Sequence, residues 1–230
     1  MSDSALIKAA RAGDRDKCVH LLKDNRTGYV SKRGVGKKTA VLAAAEEGHW
    51  DIVELLLEHG ASLLDKDKDN NTLVMFASKA GNMKLVKLLL SKGANIHDKD
   101  KDGSSSIMLA SDGGHADVCE LLLSKGANIH DEDSIGRSSI ILALLNSTCY
   151  STNSTKSRAY ADVVLQLLAH GADIPPIRSR YSPAIKDILK KWHVFMGIRA
   201  LQGLSLYYIL DASTIIDLYQ YLGEERETID

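Results

Sequence analysis

Apolar residues recur along the chain at helical spacing, in pairs of short segments separated by glycines and charged stretches. In one pair, Ile107, Met108 and Ala110 share a helix face, and Val118 and Leu122 share the face of the segment that follows. Helices this short are marginal alone, because most helical stability in proteins comes from packing an apolar face. The pattern therefore predicts an all-α protein in which short helices pack against their neighbours.

The same pattern returns along the chain with a fixed step. The segment LLLSKGANIHDKD at residues 88–100 returns as LLLSKGANIHDED at residues 121–133, a step of 33. A further copy ends at Gly171, which lies 45 residues after Gly126, or one period plus a 12-residue insertion. A fixed period of this size is typical of repeat architectures, in which each unit lends its neighbour an apolar flank.

Each unit predicts two short helices followed by an extended, charged finger. The serines from Ser105 onward offer an N-cap for the first helix, and Gly114-His115 turns the chain into the second. Gly126 stands where a left-handed residue ends that helix, a conformation that glycine adopts at little steric cost.

The repeat boundaries divide the chain into two parts. Residues 1–181 are predicted to form the repeat domain, and residues 182–230 a C-terminal helical cap or docking tail. The repeat domain contains a capping unit and four repeats, at residues 1–27, 34–66, 67–99, 100–132 and 133–177, the last with the insertion. A basic, glycine-bearing loop at 26–38 is expected to replace the first regular finger.

The ankyrin-repeat family has a 33-residue unit with the pattern KDxxGxTPLHxAAxxGHxxVVxLLLxxGADVN. Residues 99–130 resemble this pattern, with the sequence KDKDGSSSIMLASDGGHADVCELLLSKGANIH. The resemblance covers about residues 4–175. It implies an all-α repeat solenoid of helix–turn–helix units, with hairpin fingers at right angles to the helix pairs.

The TPLH box of the family is altered in every copy. It becomes TAVL at Thr39, TLVM at Thr72, SSIM at Ser105 and SSII at Ser138. In the family the Thr–His pair joins neighbouring turns by hydrogen bonds. Here apolar contacts are expected instead, from Leu42, Met75, Met108 and Ile141.

Composition narrows the functional class. Hydrophobic residues make up 44% of the chain, but only 5% are aromatic, so the core must be mainly aliphatic. A net charge of −1, without a basic stripe interleaved with aromatics, does not favour nucleic acid as a partner.

Three cysteines without a CxxC pattern indicate reduced thiols, with buried packing expected for Cys18 and Cys119. With neither a signal peptide nor a membrane span recognised, we expect a protein of the cytosol or nucleus.

Candidate chemistry in the fingers is weak. Asp65, Asp67 and Asp69 alternate as in calcium loops, but lysines interleave and the closing glutamate is missing. His97 and His130 lie one period apart without further ligands fixed nearby. Phosphate loops and nucleophile motifs are absent from the sequence. We therefore expect no enzyme activity, no cofactor and no metal.

The insertion within the last repeat, NSTCYSTNSTKSRAY at residues 146–160, is polar and rich in serine and threonine. It is expected to form a surface loop at the helix–helix turn. Its two N-x-[ST] sequons, at Asn146 and Asn153, are not expected to carry glycans without secretion. A flexible contact, a phosphorylation site and a neutral insertion all stay open.

Function is therefore expected from the surface that the repeat leaves free. The resemblance implies a protein partner on the concave face that the fingers and first helices form. The candidate partner-binding residues are Lys38, Glu46, Glu47, Lys68, Asp69, Asn71, Lys79, Lys101, Asp102, Ser104, Asp112, Ser134, Ile135 and Arg137. Ile135, which is predicted to be the only large apolar side chain at a fingertip, is a candidate hot spot.

The C-terminal tail has two interpretations. Its first segment has an apolar stripe that includes Ile185, Leu189 and Trp192, which suits a cap on the stack. Residues 195–230 are richer in tyrosine and loosely resemble a SOCS box, but they lack its cysteine and its Leu-Pro run. The chain is thus expected to be a non-enzymatic interaction module or scaffold subunit of a larger complex. The alternative is a ubiquitin-ligase adaptor that recruits the ligase through this tail.

Overall fold

The computed structural model describes residues 3–23, 30–147 and 155–173, together with Lys186, Leu189 and Lys190. Over these residues the secondary structure is helical, with short hairpin fingers between helix pairs. The helices are α1 (Ala5–Arg11), α2 (Arg15–Lys23), α3 (Ala40–Glu46), α4 (Trp50–Glu58), α5 (Leu73–Lys79), α6 (Met83–Ser91), α7 (Ser106–Gly113), α8 (Ala116–Ser124), α9 (Ser139–Ser147) and α10 (Thr155–Ala169). A 3-10 turn, η1, covers Val35–Lys37.

The helices stack as five pairs in chain order. The first helix of each pair packs on the first helix of the next, giving a continuous row from α1 through α3, α5 and α7 to α9. The second helices form the flanking row, in which α8 packs on α6 and on α10. The all-α repeat stack predicted from the sequence is confirmed.

The core runs along the stack because equivalent residues of successive units are buried together. In the first helices one equivalent buried position is always alanine, which is small and lets neighbouring helices approach closely. In the second helices one equivalent buried position is always leucine. The fully buried members are Ala44, Ala77, Ala110 and Ala143 in the first row and Leu56, Leu89, Leu122 and Leu167 in the second.

The position that the family gives to histidine is apolar here; it is buried in three units, as expected, whereas Ile141 in the last repeat is only partly buried. Leu42, Met75 and Met108 are at most 1% exposed. Thr72 still caps its helix, since its side-chain oxygen accepts from the backbone N–H of Met75 at 3.4 Å. Ser105 occupies the predicted N-cap position, but its hydroxyl makes no capping bond and has no partner among the described residues.

The two cysteines that the structure describes are buried, as predicted. Cys119 takes the position that valine holds in the preceding unit, and its sulfur lies 3.4 Å from the Ser111 hydroxyl. Burial raises the pKa of Cys18 to about 11 and that of Cys119 to about 12, so both stay protonated thiols at neutral pH. Cys149 lies outside the described residues.

The insertion is largely helical at its ends, which corrects the prediction of a surface loop over residues 146–160. Helix α9 continues to Ser147, and α10 begins at Thr155, six residues before the equivalent start of α8. Tyr160, at the end of the insertion, is only 6% exposed. Residues 148–154, with the Asn153 sequon, lie outside the described residues. Tyr160 belongs to the core cluster, and its hydroxyl bonds the preceding unit, so this end of the insertion is part of the stack.

Most of the tail also lies outside the described residues. Leu189 is described, is fully buried, and belongs to the same hydrophobic cluster as the core of the stack. This observation favours a cap for the start of the tail. None of the helices described has both the length and the hydrophobicity of a membrane span.

Candidate functional site

The fingers at residues 67–71, 100–104 and 133–137 are tight turns, each built around one aspartate. In the turn at residues 67–71, Asp67 Oδ1 accepts from the backbone N–H groups of Asp69 and Asn71, both at 2.9 Å. Asp100 and Asp133 make the same pair of bonds in their own turns. These carboxylates satisfy donors that the turn would otherwise leave open, and so fix the finger conformation.

Successive fingertips are joined by a row of backbone hydrogen bonds. In each bond an N–H of one fingertip donates to a carbonyl of the fingertip before it. The three bonds run from Lys68 to Gly36 (2.7 Å), from Lys101 to Asp69 (2.8 Å) and from Ser134 to Asp102 (2.8 Å). The row holds the four tips in fixed register.

Among the described residues no finger precedes the first fingertip, and Asp3 supplies the acceptor that the preceding tip provides elsewhere in the row. Its carboxylate accepts from the backbone N–H of Val35 at 2.8 Å and also pairs with Arg11. The bond from Val35 lowers the pKa of Asp3 more than burial raises it. Asp3 was not recognised from the sequence, because only the stacked structure brings it to a residue 32 positions away.

The first finger itself corrects a second prediction. The loop at 26–38 was expected to replace it, yet Gly34 N–H donates to the Lys38 carbonyl at 2.8 Å, as in the other finger turns. Val35 is consequently presented at a fingertip and is 58% exposed. Ile135, at 72% exposure, is therefore not the only large apolar side chain at a tip.

A row of ion pairs runs beside the fingertips, with each cation contacting an acid of the next unit. The pairs are Arg33–Asp65 at 3.1 Å, Lys66–Asp98 at 2.8 Å and Lys99–Asp131 at 3.0 Å. Glu132 takes the next cation position, so the row ends there. Partly exposed pairs of this kind contribute little individually, but they fix the order of charges along the edge.

Asp133 gives the fingers a dependence on acid. Burial raises the pKa of Asp133, but hydrogen bonds from the backbone and side chain of Arg137 and from the backbone of Ile135 lower it. Together these bonds outweigh burial, so the pKa lies below its ordinary value of 3.8. A lowered folded pKa means that the stabilisation is present above the unfolded pKa and is lost as pH falls through the folded pKa. We expect Asp133→Asn, measured by thermal melts between about pH 7 and pH 2, to reduce the acid-induced loss of stability.

The matched control is Glu132→Gln, one residue earlier and exposed, which makes no turn bond. It should leave the slope of melting temperature against acid pH close to that of the unaltered chain. Equal slopes for Asp133→Asn and the unaltered chain would contradict the role assigned to Asp133.

Many of the predicted partner-binding residues already make internal contacts. Lys38 pairs with Glu46, and Lys101 pairs with Asp69 at 2.8 Å. The remaining internally bonded members are Asn71 and Arg137, which bond their turn aspartates, Ser104, which is buried, and Asp112, which accepts from Asn146. These residues therefore stabilise the conformation of the surface through contacts within the chain.

The other predicted residues are exposed: Glu47, Lys68, Lys79, Asp102, Ser134 and Ile135. Lys68, Asp102, Ser134 and Ile135 lie at fingertips, whereas Glu47 and Lys79 lie at the ends of first helices. The structure thus brings four of them into one row.

Bonds across the helix–helix turns form a second feature that joins the units. His49 Nε2 lies 3.2 Å from the Arg11 carbonyl, and His115 Nε2 lies 3.1 Å from the Lys79 carbonyl, one unit back in each case. In the last repeat the hydroxyl of Tyr160 donates to the equivalent carbonyl, that of Asp112, at 2.9 Å. The role of Tyr160 was missed because the insertion hides its alignment.

The alternating acids of the second finger do not converge. Asp65 pairs with Arg33, Asp67 holds its turn, and Asp69 pairs with Lys101. Across the part of the chain that the structure describes, no three His, Cys, Asp or Glu side chains are grouped as metal ligands would be.

The comparison with known families agrees with this architecture. A family model described as ankyrin repeats (3 copies) matches residues 6–100 and again residues 74–177. No curated protein gives a significant match. Repeats of this kind generally mediate protein–protein interactions, and proteins built from them are typically non-enzymatic. Because the two matches together cover well over half of the sequence, the chain belongs to the ankyrin-repeat family.

Proposed function

We propose that this chain is a non-enzymatic interaction module that holds a protein partner against its fingers and first helices. It would act in the cytosol or nucleus as a scaffold subunit of a larger assembly. The observation that carries this proposal is the row of exposed fingertip side chains on a backbone fixed by hydrogen bonds. Side chains held in this way lose little backbone freedom when a partner binds, which favours affinity.

Ile135 is the best candidate for an anchor on this surface. It is 72% exposed, while its own backbone N–H is held by Asp133 at 3.0 Å. Asp102 and Ser134 lie beside it in the fingertip row. An exposed apolar side chain on a rigid turn, with polar neighbours, fits the pattern of a hot spot surrounded by a polar rim.

We expect the triple variant Lys101→Ala, Asp102→Ala, Ile135→Ala to lose at least one partner that the unaltered chain captures from cell extracts. Quantitative mass spectrometry of the captured proteins measures this loss. The physical reason is removal of the anchor and of two neighbouring charges from one contact area. Melting of the variant should stay close to that of the unaltered chain, since all three side chains are largely exposed.

Lys87→Ala is the matched control, because Lys87 is exposed on the second helix α6, away from the fingers. It should leave the captured set unchanged. A triple variant that melts normally and retains every partner would rule out binding through the fingertips.

The ligase-adaptor alternative depends on residues 195–230, which lie outside the described residues. Deletion of these residues should release ligase subunits if the alternative holds, and should leave the captured partners intact if the repeats alone bind. The buried Leu189 supports keeping the chain up to residue 194 in this truncation, so that the end of the stack stays covered.

A further inference from the structure

Two charged side chains of the fingertip row lie outside any ion pair. One ion pair joins neighbouring tips, in which Lys101 contacts Asp69 of the tip before it. Lys68 has no such acid, because Gly36 takes that position, and its stem instead lies near Gly36. Asp102 has no such lysine, because Ser134 takes that position. Neither Lys68 nor Asp102 makes an ion pair with any described residue.

The two ends of the row carry matching features. The first tip presents the exposed Val35 beside the exposed Lys37, and the fourth presents the exposed Ile135 with the exposed Glu132 at its base. Neither Lys37 nor Glu132 is ion-paired within the part of the chain that the structure describes. One end is therefore apolar and basic, and the other is apolar and acidic.

Along the four tips, the side chains at the two outermost positions of each turn are Val-Gly, Lys-Asp, Lys-Asp and Ser-Ile. If the row is placed against a second copy of itself running in the opposite direction, Lys68 of the second tip lies opposite Asp102 of the third tip. The basic apolar end then also lies opposite the acidic apolar end. A surface with this property is complementary to itself under a two-fold rotation, which is the requirement for an isologous dimer.

We infer that the fingertip row, residues 35–37, 68–70, 101–103 and 134–136, binds the same row of a second copy of this chain in antiparallel orientation. Lys68 then faces Asp102 of the second copy, and Asp102 faces its Lys68. Val35 meets Ile135 at each end, while the Lys101–Asp69 pair of each copy lies near the two-fold axis.

The size of the row sets the expected strength. Neighbouring helices pack about 8–10 Å apart, so three steps between four tips span roughly 30 Å. A single narrow row buries less area than a standard stable interface, which favours a weak dimer. Its charge pairs lie at the surface, so added salt should weaken it further.

Sedimentation equilibrium of the purified full chain tests this inference. At low ionic strength the average mass should rise from 25.1 kDa towards twice that value as the concentration increases through the micromolar range. Lys68→Glu and Asp102→Lys should each return the mass to that of the monomer, because each places like charges opposite one another twice in the dimer. A mixture of the two variants should associate again, since both contacts between the different chains are then attractive.

The control is Lys87→Glu, which makes the same charge change as Lys68→Glu on a second helix and should not affect association. Circular dichroism of each variant verifies that the stack is folded. A monomer at every concentration overturns the inference, and so does a dimer that ignores the charge swaps, since it must use another surface. The inference is independent of the proposed protein partner, because it is tested with the purified chain alone. The dimer can therefore be found even if the capture experiment detects no partner.

Discussion

Replacing Leu122 with alanine is expected to lower the free energy of unfolding by about 2–5 kcal/mol. Leu122 is fully buried in α8, in the middle of the second-helix row. Its truncation removes apolar contacts and leaves a cavity that α6 and α10 on either side cannot close completely. Urea denaturation followed by far-UV circular dichroism measures the loss.

The shape of the transition is expected to change as well. In a linear stack each unit contacts only its neighbours, so a weak unit in the middle uncouples the two halves. The urea transition of Leu122→Ala should therefore broaden, with α3 and α4 retaining slow hydrogen exchange after α8 has lost it.

Leu123→Ala is the matched control, because Leu123 is the next residue in the same helix and is only partly buried. The same atoms are deleted there, but less surface is removed from contact, so the loss should be clearly smaller. Equal losses at the two positions would contradict the assignment of Leu122 to the shared core.

Gly81→Ala is expected to cost about 2–4 kcal/mol, which is more than a surface turn substitution normally costs. Gly81 has φ +72°, where side chains with a Cβ are strained. A Cβ at this position would lie only 2.5 Å from Nδ1 of His115, so the imidazole must move. Moving it also weakens the contact between His115 and the Lys79 carbonyl that joins two units.

Gly48→Ala separates the cost of backbone strain from the cost of the close contact with His115. Gly48 occupies the same turn of the preceding unit and has φ +79°, but the nearest atom to its Cβ would be Trp50 Nε1 at 4.0 Å. It should therefore show only the backbone strain, about 1–2 kcal/mol. Thermal and urea unfolding of the two variants give the comparison, and a Gly48→Ala loss as large as that of Gly81→Ala would remove His115 from the explanation.

The difference between these two glycines comes from the residue one unit later. Position 115 is a histidine, whose ring covers Gly81, whereas the equivalent position above Gly48 is Asn82. Asn82 uses its side chain to cap its own helix through the backbone N–H of Leu85 at 3.0 Å. Substitution of histidine by asparagine thus exchanges a contact between units for a bond within one.

The fold could be predicted from the sequence because the near-identical repeats show directly which residues are equivalent. Once residues 88–100 and 121–133 are matched, the leucines and alanines at equal offsets have to share one continuous core. The turn role of Asp67, Asp100 and Asp133 was also predictable, since an aspartate at the start of a turn bonds backbone N–H groups two residues or more ahead. Such bonds are local, so no tertiary information is needed to place them.

The candidate site was less predictable. The choice of the 14 partner-binding residues assumed that a position free of packing is free of other contacts, and it stays a prediction. For Lys38 and Glu46, which pair with each other, and for Asp112, which bonds Asn146, that assumption did not hold. These contacts depend on side-chain directions and on helix ends, which the period does not encode.

The sequence by itself determined the repeat, its buried positions and the aspartates of the turns at 67–71, 100–104 and 133–137, because these depend on spacing within one repeat. Only the tertiary structure decided which atoms meet between repeats. It placed Asp3 on the first fingertip, made Tyr160 the counterpart of His115, and left Lys68 and Asp102 without ionic partners along the described row. The physical reason is that contacts between units are set by the small displacement from one repeat to the next, which residue identity alone does not fix.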